Sequence, residues 1–215
     1  MGDRVNRQRN IILRNNRIEV LNEFKYLGVI LNKNRTFTSM KKLVVEQAKR
    51  ALFSLYRNIR NLDLSIECQL KLFDNTIVPV LTYGCEIWGF GDSSAIERVH
   101  TVFLKRILKV KKSTPNVMLY GDLGRAPLSI GIKKRAVGFW YDMTLSKDKL
   151  SSIIFQISLH DAVHNNHRYN WLHFVQSIFD ECGLSYIWHG QSFNGSNSVL
   201  LSRIDVILKS QIIQK

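Results

Sequence analysis

The sequence predicts a mainly α-helical protein with a small N-terminal β element, a hairpin plus one strand. Three observations carry this. After residue 38, apolar residues recur at helical spacing through most of the chain. Before residue 35 the texture differs, with short runs rich in β-branched and aromatic residues around an Asn-Asn pair that suits a tight turn. At 215 residues, 45% hydrophobic and 22% charged, the chain can bury a real core. The expected layout is a β element over 1–35, a helical region over 36–149 and a further helical region over 150–215.

The segment NIILRNNRIEVLNEFKYLGVIL reads as strands Ile11–Arg14 and Arg17–Leu21 joined by Asn15-Asn16, then a third run from Phe24 to Leu31. Gly28 inside that run predicts a bulge or a close backbone approach. Thr38 is read as the N-cap of a helix reaching about Leu62, with Leu43, Val44, Ala48, Ala51, Leu52, Leu55 and Ile59 on its apolar face. Its other face carries Lys41, Lys42, Lys49, Arg50, Arg57 and Arg60, with Tyr56 beside them.

Ser65 is the next cap. Within the stretch it opens, Pro79 predicts a kink or break, because proline lacks the N–H that a helix interior needs. Tyr83, Cys85 and Trp88 are expected to fill the interior around that break. Ser93 opens a third helix with Ile96, Val99, Phe103, Ile107 and Leu108 on its apolar stripe. Glu97 near its start and Lys109, Lys111 and Lys112 at its end suit the helix dipole. Pro115 and Pro127 bracket a short element, and a helix is expected from Leu128 to about Leu145. Beyond Lys149 a His-rich polar insert leads to helices at Trp171–Cys182 and about Val199–Ile213.

The formal net charge is +14, unevenly spread. Residues 1–62 hold fourteen Lys and Arg against four acids, whereas 150–215 hold four of each. A basic N-terminal half points to a polyanion, nucleic acid first, through phosphate neutralisation and counterion release. A solvated basic face without a partner is the plainer alternative.

Cys68, Cys85 and Cys182 are odd in number and widely spaced, so neither a disulfide framework nor a zinc ribbon is written here. A reducing, intracellular setting suits them, cytoplasmic or nuclear. The stretch around VPVLTYGCEIWGF is too short and too polar to span a membrane, with Lys71, Asp74, Asn75 and Glu86 inside twenty residues. Walker, nucleophile-elbow and HExxH motifs are absent, and the ten aspartates are never adjacent, so no paired carboxylates for two-metal phosphoryl chemistry stand together in sequence. His160, His164 and His167 are the tightest metal candidate, against a reading as loop histidines. No cofactor motif is legible.

FKYLGVIL (24–31), EQAKRALFSL (46–55), LKLFDNTIVPVLTYGCEIWGF (70–90), FLKRILKVKKSTPNVMLYGDLGRAPL (103–128) and WLHFVQSIFDECGLSYIW (171–188) follow one another in order. Together they resemble the C-terminal part of LINE-type, non-LTR retrotransposon reverse transcriptases. The resemblance implies that Phe24, Lys25, Tyr26, Leu27 and Gly28 belong to a primer-grip-like element. It also implies that the basic helix opens a thumb-like region packed along a template–primer duplex. The family's palm carries an aromatic-x-Asp-Asp motif that this sequence lacks. The expectation is therefore a truncated, non-catalytic fragment of an RNA-directed DNA polymerase with residual sequence-independent nucleic-acid binding. The rival expectation is a helical protein-interaction module, whose partner would be a palm-containing copy.

Overall fold

The computed structural model describes residues 11–13, 16–19, 21–34, 36–164 and 171–213. It is mainly helical, with four short strands preceding eleven helices among the described residues. Its contacts divide the chain into two units, Met1–Met40 and Lys41–Lys215.

In the first unit β1 (Ile11–Leu13) pairs antiparallel with β2 (Asn16–Ile18), Leu13 opposite Asn16. Asn16 therefore lies in the ladder rather than in the turn, and Arg14 and Asn15 lie outside the described residues. The run 24–31 departs from expectation: it is a hairpin and not one strand. Strand β3 (Glu23–Tyr26) folds back onto β4 (Val29–Asn32), Tyr26 opposite Val29. Leu27 (φ 45°) and Gly28 (φ 84°) form the two-residue turn. Positive φ at both positions is the geometry whose twist matches paired strands, and Gly28 supplies one of them without steric cost. Asn32 Nδ2 and the Ser39 hydroxyl both donate to Glu23 Oε1, at 2.9 and 2.5 Å.

Helix α1 spans Thr38–Ile59 and α2 spans Ile66–Thr76, with Ser65 accepting the Cys68 N–H as its N-cap. The proline-bearing stretch breaks as expected, into α3 (Val78–Leu81) and α4 (Cys85–Trp88). Pro79 sits in the first turn of α3, where its missing N–H costs nothing, and Gly84 (φ 64°) starts α4. Cys85 and Trp88 are fully buried, and Trp88 Nε1 donates to the Tyr83 carbonyl at 2.8 Å. Tyr83 corrects the expectation: its side chain is 54% exposed. The left-handed residue after it turns the chain between two short helices, which leaves Tyr83 outside while Leu81, Thr82, Cys85 and Trp88 are buried.

Helix α5 (Ser94–Ile107) begins after Ser93, but Asp92 does the capping, accepting the Ser94 N–H at 2.8 Å. Helix α6 (Asn116–Asp122) follows, then α7 (Leu128–Leu145), which touches α4, α5, α8 (Lys149–His164), α9 (Trp171–Glu181) and α11 (Asn197–Ile213). This central place explains why α7 is apolar on more than one side, with Ile130, Ile132, Ala136, Val137 and Trp140 buried. The short α10 (Ser185–Gly190) brings Ile187 and Trp188 to the core that α7 shares with α9 and α11. Helix α8 was not legible in the sequence, because apolar residues lie on two sides of it, Leu150, Ile153, Ile154 and Ile157 toward solvent and Phe155 and Ala162 toward the core, so no one-sided period stands out.

Candidate nucleic-acid interface

The interface begins with the pattern of α1. Val44, Val45, Ala48 and Leu52 are buried, so the opposite face is fixed by the 3.6-residue turn. That face presents Lys42, Glu46, Lys49, Arg50, Phe53 and Arg57, all exposed, and Arg60 continues it one residue past the helix. Glu46 is the one acid on it, and it meets Arg50 at 3.8 Å in an exposed, solvated pair. The expected cations Lys42, Lys49, Arg50, Arg57 and Arg60 thus form one stripe.

Lys41 does not join them. Its ammonium donates to the carbonyls of Phe90 (2.6 Å) and Asp92 (2.8 Å). Burial lowers its pKa, and the Asp92 charge opposes that shift only in part. This lysine fastens α1 to the turn before α5.

At the far end of α1, α2's Phe73 stacks on Phe103 of α5 at 4.2 Å, and Tyr56 lies parallel to Phe103 at 6.4 Å. Arg106 places its guanidinium 3.7 Å from the Tyr56 ring centroid. Burial raises the Tyr56 pKa while Arg106 pulls the other way, so the phenol stays protonated. Sequence reasoning missed Arg106 and the exposed Phe53. The run Lys105 to Lys112 was the available signal, but helix-dipole complementarity accounted for it equally well.

Among the expected primer-grip residues of the first unit, Phe24, Lys25, Tyr26 and Leu27 are exposed and Gly28 is half-buried. Phe24 and Tyr26 alternate with Lys25 along β3, so the two rings share one face of the hairpin.

Elsewhere one carboxylate organises the bundle. Glu97 accepts from the Tyr120 hydroxyl (2.6 Å), from His100 Nδ1 (3.0 Å) and from the Leu128 N–H (2.8 Å) at the start of α7. Burial pushes this carboxyl's pKa up, but the bonds from His100 and Tyr120 outweigh it and hold the group below its usual range. Arg135 of α7 donates to Glu86 (2.6 Å) and to the Thr82 carbonyl (2.8 Å), tying α7 to the broken stretch.

Among the described residues no three His, Cys, Asp or Glu side chains stand close enough to share a metal ion. His160 and His164 stack at 4.1 Å, and His167 lies outside the described residues. The buried thiols are pushed away from reactivity, Cys85 to about 12 and Cys182 to about 11, by burial first. Among the described residues no helix is long and apolar enough to cross a membrane.

The chain is distantly similar to a protein of Drosophila melanogaster described as "Probable RNA-directed DNA polymerase from transposon X-element", 24% identical over 137 residues. That match covers 62% of this chain and spans 15% of the relative's length. No family model matches the sequence, and no solved structure matches the fold.

Proposed function

We propose that this chain is a thumb-like, nucleic-acid-binding region of a non-LTR retrotransposon reverse transcriptase, gripping a template–primer without regard to sequence. The observation that carries the reading is the stripe Lys42, Lys49, Arg50, Arg57 and Arg60 on one face of α1, with a single solvated acid among them. The relation to a transposon polymerase agrees with it. On this reading Phe24 to Gly28 are a primer-grip-like hairpin, and the carboxylates that hold catalytic metal ions belong to a palm outside these residues. Phosphate contacts would supply the affinity, so binding should fall steeply with salt. Neutralising about six duplex phosphates gives a slope of log K against log salt near −5. Fluorescence anisotropy with a labelled 20-base-pair duplex tests this, and absence of binding at low salt would sink it.

One observation favours a second reading, a protein-interaction module. Leu150, Ile153, Ile154 and Ile157 make an exposed apolar stripe at i, i+3, i+4 and i+7 on α8. Light scattering coupled to size-exclusion chromatography distinguishes the two: a monomer at high concentration that still binds nucleic acid leaves the first reading standing alone.

A further inference from the structure

The α8 stripe has nothing on it to say what would cover it, and the groove beside Ile87, Phe139 and Leu201 is apolar in the same uninformative way. The groove between the C-terminal ends of α1 and α5 is different, because its chemistry specifies a ligand.

This groove, of 640 Å³, is lined by Phe53, Tyr56, Arg57, Arg60, Arg106 and Lys109, and no acidic side chain lines it. Among the described residues none of these four cations is paired with a carboxylate, although Arg50, Arg125, Lys133, Lys134, Arg135 and Lys209 all are. Last-turn cations complement the helix dipole, which accounts for Arg57 and Arg106. It does not account for three other features.

The first is the backbone at Lys109. Helix α5 closes with the Lys109 N–H on the Arg106 carbonyl and the Val110 N–H on the Lys105 carbonyl, which puts Lys109 in the left-handed region at φ 54°. Helices α6 and α9 close with the same pair of bonds, and both use glycine at that position, Gly124 and Gly183. A lysine there carries a steric cost that glycine avoids, and strain of this kind collects where a side chain is needed. Here the side chain adds a cation to the groove. The second feature is Phe53, which is 73% exposed and shares one helix face with Arg57 and Arg60. The third is the Tyr56 hydroxyl, buried and without a hydrogen-bond partner among the described residues.

An exposed aromatic ring flanked by unpaired cations is the arrangement that holds single strands: the ring stacks a base, and the cations take the phosphates on either side. A duplex offers no free base face to Phe53. We infer that this groove binds a single-stranded stretch of nucleic acid, one base on Phe53 and its phosphates on Arg57, Arg60, Arg106 and Lys109. The inference rests on the nucleic-acid reading above and adds the strand class and the place.

The test uses the full chain with labelled dT20 and a labelled 20-base-pair duplex. F53A should weaken dT20 about tenfold or more, the loss of one stacked base, and leave the duplex within about twofold. F53W should keep the affinity, and its added emission should be quenched by dT20. K109G should melt at a higher temperature yet bind dT20 more weakly, its salt slope flattened by about 0.7, one single-strand phosphate. Equal loss of single strand and duplex in F53A, or no loss of either, overturns the inference, as does an unchanged salt slope in K109G. If the unaltered chain binds neither probe at low salt, the proposed function itself fails. Binding that ignores Phe53 and Lys109 removes this inference alone.

Discussion

The Tyr120 hydroxyl donates to the Glu97 carboxylate at 2.6 Å, joining α6 to α5 through a group that also caps the start of α7. The Glu97→Ala change strands that hydroxyl and the first N–H of α7 at once. It should cost about 2–4 kcal/mol in urea unfolding, because groups left unsatisfied away from water carry their full desolvation penalty. Tyr120→Phe, which removes only the donor, should cost about 1 kcal/mol.

Glu97 also predicts a pH dependence. Its carboxyl is held below the usual range in the folded state, so the stability it contributes is complete above the unfolded-state value of about 4.3 and is lost as pH falls through the lower folded value. In Glu97→Gln that part of the acid sensitivity should vanish. The gap between variant and parent should therefore be wide at pH 7 and narrow at about pH 3 in urea titrations. A gap of constant width would show that the charge of Glu97 is immaterial.

Lys41 and Lys49 lie on the same helix and should part company in experiment. Lys41→Ala removes two carbonyl contacts at a partly buried site and should lower stability by about 1–2 kcal/mol, with little effect on duplex binding. Lys49→Ala should leave the melting temperature alone and flatten the salt slope by about one unit, the signature of one lost phosphate contact.

Trp88 has no exposed surface, and its truncation to alanine should cost about 3–5 kcal/mol, while Tyr83→Ala should cost under about 1 kcal/mol. Gly89→Ala should be harmful for a different reason. A Cβ there would collide with the Cys85 carbonyl oxygen and the Ile132 side chain, and overpacking of that sort costs about 1–3 kcal/mol. Thermal melts of the three variants rank them.

Leu27 is a bulky residue at φ 45° and is 75% exposed, so its left-handed backbone is not repaid by burial of the side chain. Leu27→Asn would create an Asn-Gly turn of the kind hairpins favour. Amide exchange at Tyr26 and Val29 should slow by about fivefold, a gain of about 1 kcal/mol. If it also weakens duplex binding, Leu27 is kept for its contact with the ligand.

Local rules made a good part of this protein legible in its sequence. Helix α7 runs over the expected Leu128–Leu145, Ser65 caps α2, and Pro79 breaks the chain where a missing N–H must. The run 24–31 was misread as one strand because a leucine in the left-handed region hides its turn, whereas an asparagine would have announced it. Helix α8 escaped because its apolar residues lie on both its buried and its exposed side. The basic bias of the first 62 residues, and with it the polyanion reading, also belonged to the sequence alone.

Packing decided which of those charges remain available. Lys41 and Lys49 are the same residue type on one helix, yet a neighbouring turn takes the first and solvent keeps the second. Arg106 and Lys109, distant from α1 in sequence, join its end because Tyr56 of α1 lies against Phe103 and Arg106 of α5. Hydrophobic period is a local property of the chain and survives being read one window at a time. The partner of a charge depends on which elements meet, and no window of sequence contains that.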